Sequence, residues 1–154
     1  MSTQVNSDGL LIRFGRDQGV RGNKAAVTTS TTKLNELILD VDLEGAARTL
    51  YTTDRNNDGT VDGFSGMDAY LPAGAFIKSQ QVIVTEALAG GTNYAVGTYV
   101  EAGTADDADG IRKTDGTDGD QIGTVLTAKK FVGVVTTGTY TAGKVKIIIQ
   151  YMIA

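Results

Sequence analysis

From Leu37 the chain alternates, with Leu37, Leu39, Val41 and Leu43 on one parity and Ile38, Asp40 and Asp42 on the other. A period of two puts four apolar side chains on one face, which predicts a half-buried strand. Arg48–Thr53 predicts a second, and a loop rich in Asp, Asn and Gly then runs to Ala69. Residues 75–88 carry Val82, Val84 and Leu88 on one parity and Ile77 and Ile83 on the other, too long a run for one straight strand. A bend is expected near Ser79–Gln81. Gly90–Gly91 supplies a turn before the alternating Tyr94, Val96, Thr98 and Val100. Gln121–Thr127, Phe131–Thr137 and Lys144–Ile153 form the final elements. Val145, Ile147, Ile149, Tyr151 and Ile153 share a face in the last, whose mixed other face is expected to be partly covered.

Residues 101–120 read differently. Seven acids and two bases make this stretch a polar loop outside the core, with a short helical turn expected at 105–113 or within 121–130. Six Asp-Gly pairs, at Asp8, Asp58, Asp62, Asp109, Asp115 and Asp118, each predict a tight turn, because Gly enters left-handed backbone angles without steric cost. The first 33 residues carry five bases against two acids, a balance of +3, whereas the remaining nine bases and sixteen acids give −7. Outside Leu10, Leu11, Ile12 and Phe14 this segment has little to bury. It predicts an extended basic arm over 1–33 ahead of a body over 34–154.

Thr and Gly together make 41 of the 154 residues and Pro occurs once, which favours strands joined by glycine turns. The expected fold is all-β: a jelly-roll-like β-sandwich of about seven or eight strands with an extended N-terminal arm. With no Cys and no His, disulfides, the usual zinc and haem ligands, Cys nucleophiles and imidazole-dependent triads are excluded. An enzyme would have to work with Asp, Glu, Lys or Tyr, and these show no convergent spacing, so no catalytic residue is assigned. The net charge of −4 gives no drive toward nucleic acid. No apolar run approaches the ~20 residues of a membrane helix, and the N-terminus lacks the pattern of a signal peptide, so the expected site of synthesis is cytoplasm.

One segment has metal-like spacing. Asp54, Asn56 and Asp58 offer oxygens at alternate positions ahead of Gly59, and Thr60 and Asp62 continue the series, as in a calcium loop. The pattern breaks where a closing Glu should stand, at Ser65, and a turn rich in Asn and Asp accounts for the same residues. Calcium is thus a possible cofactor and the only one. The acidic run 106–120 has the composition of a cation site or a carboxylate pair, but also of a solvated loop, and there is no Trp to line a sugar cleft. Gly63–Gly66 lacks the second glycine spacing of a serine elbow. In the arm, Leu10, Leu11, Ile12 and Phe14 supply an apolar anchor, and Arg13, Arg16, Arg21 and Lys24 supply salt-sensitive contacts to an acidic partner.

The motif order DGLLIRFG (8–15), ELILDVDL (36–43), DAYLPAGAFI (68–77), GGTNYAVGTY (90–99) and ADDADGI (105–111) resembles small virion proteins of tailed phages. Within these it is similar to the capsid decoration, or cement, proteins of short-tailed and related marine phages. The resemblance implies a jelly-roll-like protein without catalytic residues that binds the outside of the head and bridges capsomers. Its implied partner is the major capsid protein, its implied oligomer a homotrimer, and its implied location the virion surface after synthesis in host cytoplasm. The alternatives are another phage structural module (tail, head fibre or receptor-contacting) and a calcium-dependent adhesion or carbohydrate-binding β-domain.

Overall fold

Two antiparallel sheets account for the alternating segments in the computed structural model, which describes residues 2–5, 11–14 and 24–29 as backbone, and 34–54, 58–62 and 69–154 in full. The strands are β1 (Ser2–Val5), β2 (Leu11–Phe14), β3 (Lys24–Thr29), β4 (Asn35–Asp42), β5 (Thr49–Tyr51), β6 (Ala75–Gly90), β7 (Asn93–Tyr99), β8 (Ala105–Arg112), β9 (Phe131–Thr137) and β10 (Tyr140–Ile153). One sheet has the order β1-β2-β3-β4-β10-β6 and the other β5-β9-β7-β8. The chain is an all-β sandwich, and the body from residue 34 supplies seven strands, β4 to β10.

The core forms where the inward parities meet. Leu37, Leu39 and Val41 of β4 and Val145, Ile147, Ile149 and Tyr151 of β10 pack with Val96 of β7 and Val132 and Val134 of β9. β10 is the organising strand: Ile147 stands opposite Leu39 on one side and Val82 on the other, and is fully buried. Each such side chain contributes about 1.5–3 kcal/mol through apolar burial. The opposite parity of β10 is half-buried at Lys146, Ile148, Gln150 and Met152, while Ile153, expected on the inner face, is exposed at the end of the strand.

β6 continues through sixteen residues. Its pairing with β10 slips at four points. One is at Lys78, the extra residue between the Ser79–Gln150 and Ile77–Tyr151 pairs just before the expected bend, one is at Thr85, between the Val84–Val145 and Glu86–Lys144 pairs, and two are nearer Gly90. Gly90 and Gly91 make the turn to β7 with φ of 69° and 63°, angles that disfavour a side chain. A Cβ on Gly91 would also run into the Tyr140 ring.

Four expectations are corrected. The acidic stretch is not wholly loop: residues 105–112 form β8, and Ile111 is fully buried in the core. Neither expected helical turn exists, since 105–113 is extended and 121–130 is a series of turns. Gln121–Thr127 is likewise no strand: it runs beside the start of β6 through a Val125–Phe76 bridge and backbone bonds to Ala75 and Ile77. Asp109-Gly110 and Asp118-Gly119 are not tight turns either. They bring two backbones together: Gly119 N–H donates to Ile111 O at 3.0 Å and Gln121 N–H to Gly110 O at 2.8 Å, and a Cβ on Gly119 would strike the Gly110 backbone. Glycine serves contact there and conformation at Gly90 and Gly91.

Candidate functional site

The calcium-like segment leaves β5 directly. Asp54 N–H bonds to Tyr51 O at 3.1 Å, and its side chain is buried, with 1% of the residue exposed. Its two carboxylate oxygens accept the backbone N–H groups of Asp58 (3.3 Å) and Gly59 (2.9 Å). Asp58 Oδ1 in turn accepts the Thr60 N–H at 2.9 Å and the Thr60 hydroxyl. The carboxylates therefore act as acceptors that close successive turns, which is what Asp does in an Asx turn. Asp62 is exposed beyond them, and Asn56 lies outside the described residues, as does the Gly63–Gly66 segment. Among the described residues no group of three or more Asp or Glu is gathered as a metal set.

The acids of β8 and the following loop are distributed among separate partners. Asp106 pairs with Lys130 at 2.9 Å and accepts hydrogen bonds from the Thr98 hydroxyl and Gln121 Nε2. The bond to Lys130 is the main cause holding the Asp106 pKa below the usual carboxylate value. Asp120 pairs with Lys113 at 2.8 Å, Asp118 accepts Gln80 Nε2 at 3.0 Å, and Asp115 caps Thr117. Asp107 is the exception: burial, then the neighbouring Asp109, raise its pKa. The run is a set of local ties between β8 and the elements beside it.

Aromatic rings are mostly spent inside. Tyr99 packs edge-on against Tyr51 at 5.2 Å between centroids, and burial pushes its hydroxyl up to about 12. Phe131 is buried beneath Tyr70, with the Lys129 ammonium 5.2 Å from the Tyr70 ring and 5.4 Å from Phe131. No flat, open aromatic platform of the kind that stacks a sugar is formed among the described residues.

Of the arm residues, Leu11, Ile12, Arg13 and Phe14 fall in β2 and Lys24 in β3; Leu10, Arg16 and Arg21 lie outside the described residues. β2 is paired on both sides, Arg13 opposite Thr3 of β1 and opposite Val27 of β3. β3 continues the sheet onto β4, with Lys24 in register with Asp40 and Thr28 with Glu36. On its other side Asp40 receives Lys146 at 3.6 Å.

No family model, curated protein or solved structure matches the chain. The candidate site therefore rests on the chain's own residues: a basic segment, of which β1, β2 and β3 extend one edge of an acidic sandwich. A second exposed region escaped the sequence pattern. The far half of β6 keeps Ile83, Val84 and Leu88 exposed although it alternates like a buried strand. The one available signal was its near absence of charge between Lys78 and Glu86.

Proposed function

We propose that the protein is a non-enzymatic structural component of a tailed-phage head, which binds the outside of the capsid, engages the major capsid protein and ties neighbouring capsomers together. The observation that carries the reading is the division of charge, +3 over residues 1–33 against −7 over the rest, with the basic part added to the edge of the sandwich through β3. Such an arrangement presents a rigid body whose basic edge can meet an acidic neighbour. The motif resemblance to decoration proteins supports the same reading. So does the absence of His and Cys from the sequence, which leaves little equipment for catalysis.

The physical gain is thermodynamic linkage. A protein that binds the expanded lattice and not its precursor stabilises the expanded form by mass action. Attachment through several copies at once, in the homotrimer the resemblance implies or in a smaller oligomer, lets individually weak contacts hold by effective concentration. The test is the heat stability of undecorated expanded heads. Saturating protein should raise the temperature at which they open and release DNA; an unchanged opening temperature would overturn the proposal.

A further inference from the structure

The sheet edges of this sandwich are protected unequally. β1 and β5 are short, at four and three residues. β8 carries Asp106, Asp107 and Asp109 along its outer strand, charges that repel an added strand. β6, the last strand of its sheet, is different. Loop backbone reaches its outer side at Ala75 and Ile77, and Asp118 accepts the Gln80 side chain. Beyond them 79–90 has no strand on that side among the described residues, no Pro and one charge, Glu86. Ile83, Val84 and Leu88 are 42%, 52% and 40% exposed there. A long, apolar, weakly charged edge is a template for another strand.

We propose that this half of β6 is an interaction surface for a second copy of the chain, paired antiparallel about a twofold axis through Val82. Val82 lies near the middle of the regular stretch Ser79–Val84, which pairs without a slip to Val145–Gln150. Twofold pairing about Val82 sets Gln80 opposite Val84 and Gln81 opposite Ile83. It also sets Glu86 opposite Lys78 of the second copy, twice. Lys78 is exposed, and Glu86 is half-exposed on its Lys144 pair at 3.1 Å. The two charges that bracket the neutral segment are thus complementary to themselves under rotation, a pattern that selects this register. Axes centred two residues later would place Glu86 against Val82 and lose it. The pairing is isologous and closes at two copies, so it leaves no β6 edge for further growth.

The test is sedimentation equilibrium of the full chain, with hydrogen exchange of the 79–86 amides as a second readout. The expected result is a dimer whose dissociation exposes those amides on dilution. Lys78→Glu should weaken it about tenfold or more by placing like charges opposite one another twice, and Lys78→Glu combined with Glu86→Lys should restore it. Melting of each variant at high dilution checks that the fold is kept. A monomer at about 100 µM, a stable trimer, or a dimer indifferent to Lys78→Glu would overturn the proposal. So would protection of these amides only when the protein is bound to heads, which would give the edge to another protein.

Discussion

Gly97 of β7 lies so close to Ala108 of β8 that a Cβ on Gly97 would overlap the Ala108 backbone and the Asp107 carbonyl. The pairing explains the approach. Thr98 stands opposite Asp107 but Val96 opposite Arg112, so β8 folds its intervening residues around the glycine and delivers Ile111 to the core. Gly97→Ala should destabilise the protein by about 1–3 kcal/mol, as overpacking against fixed backbone does. Urea unfolding checks it, with the loss appearing as a lower midpoint at unchanged slope.

The same contact shows why part of the fold was legible in the sequence and part was not. β4, β9 and the inner face of β10 follow from period two because one face is buried and the other wet. β8 breaks that rule: its core contribution is one residue, Ile111, and its first acid, Asp106, is neutralised by a partner distant in sequence, Lys130. An acidic run carries no local sign of such ties. The Asp54 turn was legible as an Asx-rich turn, and the sequence pattern could not tell its acceptor role from ion binding. The open edge of β6 was hidden because its alternation resembles that of a buried strand, and only topology reveals that it ends the sheet.

Asp106 and Asp107 are neighbours with opposite electrostatics. Lys130 lowers the Asp106 pKa, so the stability it adds is present above the unfolded carboxylate value near pH 4 and lost as pH falls through its lower folded value. Burial raises that of Asp107, so its ionised form opposes folding and the penalty is relieved as pH falls through its raised folded value. Asp106→Asn should lower Tm at pH 7 by about 2–4 °C, since the Lys130 side chain is only 13% exposed and Asp106 is itself partly screened. Asp107→Asn should raise Tm by about 1–2 °C. Both differences should shrink on acidification, as a series of melts between pH 7 and pH 3 would show.

Asp54 holds its turn through two backbone N–H groups. Asp54→Ala removes charge-assisted acceptors from a buried position and should cost about 2 kcal/mol. The expected loss is the same with calcium and with a chelator. A loss seen only with calcium would assign the carboxylate to an ion.

Truncation should separate the arm from the sheet. Removing residues 1–23 keeps β3 on β4 and should leave the melting of the body within about 3 °C of the full chain, while weakening attachment to heads. Removing 1–33 also strips β3 from β4, so this version should melt below the 1–23 truncation. Melting curves of the two truncations make the comparison.

Capsid attachment is tested most directly by co-sedimentation of the purified protein with empty expanded heads, over a range of protein concentrations and at low and high salt. Binding that saturates at a fixed ratio to the major capsid protein and weakens as salt rises is the predicted result, since basic residues of the arm are proposed to supply the contacts. Heads that sediment without the protein at every concentration and salt would contradict the account.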